Sequence, residues 1–265
     1  MKITSLVDNV SHGECGCEHG LSLYVELDSG KRILFDTGRT DMFARNAERL
    51  GIDLSLADIA VLSHGHDDHG GGLPAFLKIN DKAEVYLRES AFDDHYSIRS
   101  GSPSLINIDP SIKSSQRLVF TSPVERIDDS VVLFSDVSGD FPLPAGSEFL
   151  RTASGPDDFR HEQSMVVREG DKVVLFGGCG HAGIVNIILR AEQVTGLGIT
   201  HVLSGMHLAL GKQTEEYMEA LASSLLETKA SFITMHCTGT EPFMKLKDRM
   251  GDRIRYLSCG ETVSI

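Results

Sequence analysis

Residues Val61–Leu73 read VLSHGHDDHGGGL. An apolar run, Ile59–Leu62, ends there, and His64, His66, Asp68 and His69 follow within six residues. Imidazole nitrogens and a carboxylate at this density are ligands for a first-row metal ion. A strand that runs into a tight turn lets alternate residues face one point, so His64 and His66 are read as sharing one ion. Asp68 and His69, beyond the turn, are read as facing a neighbouring point. A merely solvated polar loop is the competing account of the stretch, and the density of donors argues against it.

Working outward, the composition bounds the chain. At 265 residues it can bury a substantial core, and its 41% hydrophobic and 24% charged residues make an ordinary soluble balance. The formal charge of −13 argues against an extended nucleic-acid footprint. The five cysteines, Cys15, Cys17, Cys179, Cys237 and Cys259, are odd in number and form no regular framework, which suits a reducing compartment. Asp8 interrupts the first apolar segment, and no stretch approaches the ~20 apolar residues of a membrane span. The expectation is a cytoplasmic protein with a small-molecule substrate and neither a nucleic-acid nor a membrane partner.

Strands are expected at Ile3–Val7, Leu21–Leu27 and Arg32–Asp36, the last two as a hairpin turning at Ser29-Gly30. Thr40 is read as the cap of a helix over 41–51, with Phe43, Ala47 and Leu50 on one face. A helix is expected from about Gly71 to Ile79 and a strand over Glu84–Leu87. The serine-rich stretch 96–116 reads as an irregular loop bordering the active site. Short strands are expected at 117–120, 130–134 and 147–151, and a hairpin of Met165–Val167 with Lys172–Phe176. Helices near 183–194, 214–227 and 241–249 then alternate with strands at 200–203, 231–235 and 253–257. Hairpins plus strand–helix units in both halves point to an α/β fold of two mixed β-sheets with helices outside, in one domain over 1–265.

A two-metal site needs more donors, and three strand ends supply them. Val173–Phe176 runs into GGCGHAG, presenting Cys179 and His181; Ser231–Met235 ends in His236 and Cys237; Thr200–Leu203 ends in SGMHL, presenting His207. His236 and His181 read as metal ligands. Cys179 reads equally as a ligand or a small core residue, and His207 as a substrate contact. His161 and Glu162 are alternatives for the metal or for the surface. His12, His95 and His201 are assigned structural or surface roles. Asp36 in FDTG is placed to hydrogen-bond the second ring nitrogen of a ligating histidine.

The HxHxDH spacing resembles the signature of the metallo-β-lactamase superfamily. Asp8-Asn9, EHGLS at Glu18–Ser22, FDTG at Phe35–Gly38 and NAERLGIDLSLADIAVLSHGHDDHGGGL at Asn46–Leu73 narrow the resemblance. With GCGHAGIVNI from Gly178, SGMHL from Ser204 and HCTG from His236, the chain resembles the 7,8-dihydropterin-6-ylmethyl-4-(β-D-ribofuranosyl)aminobenzene 5′-phosphate synthase-like branch along nearly its whole length. The resemblance implies the αβ/βα four-layer sandwich and one or two divalent ions per chain. It implies first-cluster ligands His64, His66, Asp68 and His69, with His236 as the final histidine. Two departures stand out: His161 and His181 compete for the histidine of the middle motif, and Cys179 occupies the position of a bridging aspartate.

For activity, the resemblance implies joining a dihydropterin methyl diphosphate to an aminobenzene ribotide, a step of methanopterin synthesis. The metal then stabilises departing pyrophosphate while Glu18, His19 and His207 line the pocket. The same ligands serve a second reading, hydrolysis of a phosphate ester, lactone or amide by water activated on the metal, with Asp68 accepting its proton. A third is a non-catalytic metal-binding sensor, redox-responsive through Cys15, Cys17 and Cys179. Zinc is the leading ion, with iron, manganese and magnesium compatible with the nitrogen and oxygen donors.

Overall fold

The computed structural model describes residues 1–99 and 101–265, which divide into two compact units. The first comprises Met1–Thr121, Arg151–Gly155 and Leu257–Ile265. It is built on strands β1 (Lys2–Val7), β2 (Ser22–Glu26), β3 (Arg32–Phe35), β4 (Ile59–Val61), β5 (Glu84–Leu87) and β8 (Leu118–Phe120), with β18 (Thr262–Ser264) at the edge. The sheet order is β18-β1-β2-β3-β4-β5-β8, antiparallel from β18 to β3 and parallel from β3 to β8. β4 is short and wholly buried, as suits a central parallel strand. Helices α1 (Met42–Arg49) and α3 (Leu73–Ile79) lay Phe43, Ala47, Leu73 and Phe76 against Leu6, Leu34, Ala60 and Val85 in one apolar core.

Asn46 crosses from α1 to the N-terminal loop. Its amide nitrogen donates to the Leu6 and Gly16 carbonyls, both at 2.8 Å, and its oxygen accepts from Gly16 N at 3.0 Å. The Cys259 thiol shares those two carbonyls at 3.2 Å, and burial pushes its pKa up to about 12, so it stays a thiol.

The second unit comprises Ser122–Leu150 and Pro156–Tyr256. Its strands are β9 (Val124–Arg126), β10 (Val131–Phe134), β13 (Ser164–Glu169), β14 (Lys172–Phe176), β15 (His201–Ser204), β16 (Ser231–Thr234) and β17 (Ile254–Tyr256). They lie in the order β17-β16-β15-β14-β13-β10-β9. β14 through β17 are parallel because α4 (Ile184–Thr195), α5 (Glu215–Glu227) and α6 (Thr240–Met250) carry the chain back after each strand. Ile187, Ile188, Leu221, Leu225 and Leu246 from these helices pack with Leu175, Val202 and Phe232 of the sheet. Thr214 caps α5 by accepting from Tyr217 N at 3.1 Å.

Several sequence expectations shift. α1 is capped at Asp41 without a side-chain bond; the Thr40 hydroxyl instead accepts from Met42 N at 3.1 Å. Asp67–Gly70 forms a helical turn, α2, and the helix expected from Gly71 begins at Leu73. The expected loop 96–116, part of which (Ser100) lies outside the described residues, contains the antiparallel pair β6 (His95–Ser97) and β7 (Ser104–Leu105) and a 3₁₀ turn at Pro110–Ser114. The strand expected at 147–151 is a 3₁₀ turn to Phe149, after which β11 (Leu150–Thr152) begins. β9 and β18 are additional.

Asn46→Ala leaves buried carbonyl and amide groups of the N-terminal loop without their partner. We expect a loss on the order of 3 kcal/mol of unfolding free energy in urea titration; a midpoint equal to that of the unmodified protein contradicts the role given to Asn46.

Candidate metal centre

In the first unit, β4 delivers the chain to Ser63, and His64, His66 and His69 lie buried beyond it, His64 and His69 at 0% exposure. The His64 ring centroid is 4.5 Å from that of His66 and 4.0 Å from that of His69, so three imidazoles crowd one spot. Asp36 organises them. Its carboxylate accepts from Ser63 N and the Ser63 hydroxyl, each at 2.7 Å, and meets His69 Nδ1 at 2.7 Å, with both side chains fully buried. The Ser63 hydroxyl also lies 2.9 Å from His64 Nδ1. A carboxylate at Nδ1 fixes the tautomer that leaves Nε2 with its lone pair, the form a metal ligand needs. Asp36 holds φ 59°, a left-handed conformation that costs energy outside glycine and is retained here by this network.

The glycines after the motif serve close packing of backbone on backbone. None of Gly70, Gly71 and Gly72 has positive φ. A Cβ on Gly71 would overlap the carbonyl oxygens of Arg39 and Asp67, and one on Gly72 those of Thr37 and Thr40. Glycine is needed for close approach, and that approach lets Thr37 N and its hydroxyl bond the His69 carbonyl at 2.7 and 3.0 Å.

Asp68 is 8% exposed, and its Oδ2 lies 3.1 Å from Nε2 of the half-exposed His19. The Glu18 carboxylate accepts from Arg39 N, Thr40 N and the Thr40 hydroxyl, so it clasps that turn. Part of the stretch after residue 96 runs along the motif: Ile106 O accepts from Asp67 N at 2.8 Å, and Asn107 pairs with His66 in an isolated antiparallel bridge. His95 is also there, buried, with its ring 5.6 Å from that of His66. As a lone histidine in a polar loop it carried no sequence signal for this position.

In the second unit, the carboxyl ends of β14, β15 and β16 lie side by side, which brings Cys179 and His181, His207, and His236 and Cys237 to one sheet edge. All are buried. His207 and His236 both adopt φ 51°, another pair of strained residues at strand ends. The His181 ring stacks on Phe159 at 4.9 Å and meets the His207 ring at 4.4 Å. His161 is 1% exposed, which removes the surface assignment, and its Nε2 lies 3.3 Å from the buried Asp157 carboxylate. Asp157 went unrecognised because one aspartate in a polar run has no distinguishing spacing. Glu162 also leaves the surface: its two oxygens accept from His181 N at 2.8 Å and Ala182 N at 3.0 Å. Burial pushes its carboxyl up to about 7 against the pull of those backbone donors.

Two mutations test these local devices. Gly71→Ala should destabilise the first unit by about 1–3 kcal/mol through overpacking, read as a lowered urea midpoint; an unchanged midpoint contradicts the close-approach account. Because folding raises the Glu162 carboxyl to about 7, the unmodified protein should lose unfolding free energy in urea titration as pH rises from about 5 to about 8, and Glu162→Gln should flatten that loss; an identical pH dependence in the two proteins contradicts the account of Glu162.

The family model of the metallo-beta-lactamase superfamily matches residues 15–179. A solved metal-dependent hydrolase of the beta-lactamase superfamily is 30% identical, with a TM-score of 0.85 over 100% of this chain and 99% of that one. Two proteins of Methanocaldococcus jannaschii are similar along most of their length. One is uncharacterized and 28% identical, covering 92% of this chain and 93% of its own. The other, 7,8-dihydropterin-6-methyl-4-(beta-D-ribofuranosyl)-aminobenzene-5′-phosphate synthase, is 22% identical, covering 93% and 90%. With its HxHxDH turn, its two mixed sheets and these matches, the chain belongs to the metallo-beta-lactamase superfamily.

Proposed function

We propose that this chain, working as one domain over residues 1–265, is an enzyme that binds one or two divalent metal ions, zinc foremost. The ligands proposed from the sequence are His64, His66, Asp68, His69, Cys179, His181 and His236. The observation that carries the reading is the buried Asp36–Ser63–His69 network, which turns His69 Nδ1 to the carboxylate and leaves Nε2 for ligation. The donor set fits the group: imidazole, carboxylate and thiol side chains suit zinc, and the oxygen and nitrogen donors suit iron or manganese as well. A divalent ion there supplies positive charge to phosphate oxygens and lowers the pKa of water.

The substrate in this reading is a small phosphorylated molecule. The synthase relative and the motifs shared with its branch support displacement of pyrophosphate from a dihydropterin methyl diphosphate by an aminobenzene ribotide. The chain's own residues then bind and orient. His19, half-exposed beside Asp68, and His207 contact the substrate, and Glu18 keeps the adjoining turn in place. Asp68 accepts the proton that the attacking amine releases. A second reading, hydrolysis of a phosphate ester, lactone or amide with Asp68 accepting a proton from water, is supported by the hydrolase relative.

His66→Ala and Asp68→Ala should each cut metal content and abolish turnover while the far-ultraviolet circular dichroism stays that of the unmodified protein; unaltered metal stoichiometry in both by elemental analysis would sink the ligand assignment. Incubation with the pterin diphosphate and the aminobenzene ribotide should yield the coupled product and pyrophosphate in equal amounts. Turnover of phosphate esters or lactones with no coupling decides for the hydrolytic reading.

A further inference from the structure

At the strand-end edge of the second unit, Cys179 and His207 converge with Cys237, to which no role has been given above. The ligand atoms of Cys179, His207 and Cys237 all lie within 4.8 Å of one another, and the residues are 4%, 2% and 4% exposed. Both ring nitrogens of His207 are buried without a hydrogen-bond partner among the described residues. A buried imidazole is ordinarily satisfied at one nitrogen at least, and leaving both unmade is costly. His207 is further held at φ 51°, so the fold maintains its position against strain.

The Cys237 thiol is aimed into this group from two sides. It receives the His207 backbone N–H at 3.3 Å and donates to the Cys179 carbonyl at 3.4 Å. A Cβ on residue 205 would stand 2.5 Å from Cys237 Sγ, so glycine there makes room for the sulfur. A backbone N–H pointing at sulfur favours thiolate over thiol, and thiolate is the ligating form.

We propose that Cys179, His207 and Cys237 form a Cys₂His site for a borderline-soft divalent ion, Zn²⁺ in the first instance. Two thiolates and one neutral imidazole complete three positions of a tetrahedron and leave the fourth for water or substrate. Binding releases the two thiol protons to solvent, so the Cys237 proton now directed at the Cys179 carbonyl is lost while the His207 N–H remains to the sulfur. One histidine nitrogen gains its partner in the same event. Cys179 is common to this set and to the ligands proposed for the family centre, and a thiolate can bridge two ions. His207 thereby becomes a ligand rather than a substrate contact, whichever reaction the enzyme performs.

The test is Co²⁺ titration of the metal-free, reduced protein, read by near-ultraviolet thiolate-to-cobalt charge transfer. The unmodified protein should develop the band, and Cys237→Ser should retain about half its intensity, one thiolate of two remaining. His207→Gln should keep both thiolates but weaken the cobalt affinity read from the same band tenfold or more. His66→Ala, which removes a proposed ligand of the first unit, should keep the band, so a failure of the proposed reaction is distinguishable from a failure here. Melting curves of the metal-free variants that match the unmodified protein exclude misfolding, and Cys237→Ala serves if the serine variant does not fold. No charge-transfer band in the unmodified protein overturns the proposal. So does full intensity in the Cys237 variants, which would leave Cys179 as the only thiolate ligand.

Discussion

The buried carboxylate of Asp36 is the interaction on which the first unit's site depends. An isolated carboxylate at 0% side-chain exposure is strongly unfavourable, and it is stable here because Ser63 N, the Ser63 hydroxyl and His69 Nδ1 surround it. Those contacts tie the end of β3 to the end of β4 and set the imidazole of His69. The left-handed backbone of Asp36 and the packing of Gly71 and Gly72 on the Arg39, Thr37 and Thr40 carbonyls follow from the same need to bring two loops together. Strain and close approach concentrate around the histidine cluster, and the well-packed sheet on either side of β4 absorbs the cost.

The second unit solves the same problem with parallel strands. Its βαβ connections align three carboxyl ends, and each end presents a donor in a turn rather than within the strand. His207 and His236 adopt the same positive φ, which turns their side chains away from the path of the strand. Glu162 ties down the His181 turn through two backbone N–H groups, a function that a carboxylate with two acceptor oxygens performs better than any neutral side chain.

How much of this was legible in the sequence depends on the kind of signal each residue carries. His64, His66, Asp68 and His69 stand out because their spacing is dense and follows an apolar run. Asp36 was legible because FDTG ends a recognisable hairpin strand. His95 and Asp157 are brought near other donors by tertiary folding alone, so no local pattern marks them, whereas Cys237 was visible at a strand end but was given no ligand role. Gly70–Gly72 were visible, but the Thr37, Arg39 and Thr40 carbonyls that Gly71 and Gly72 pack against come from a distant stretch, so the close approach was not legible. Strands of three residues such as β9 and β18 are too short for a period-2 pattern and are fixed by their partners, β10 and β1. The helical turn Asp67–Gly70 is likewise too short to show a period.

The central claim is that Asp36 sets His69 as a ligand of a divalent metal centre. Zinc affinity of Asp36→Asn, measured by competition with a chelator against the unmodified protein, tests it most directly. Loss of the carboxylate at Nδ1 should weaken metal affinity by about 10–100-fold with the fold retained by circular dichroism. Equal affinity in the two folded proteins would contradict the account.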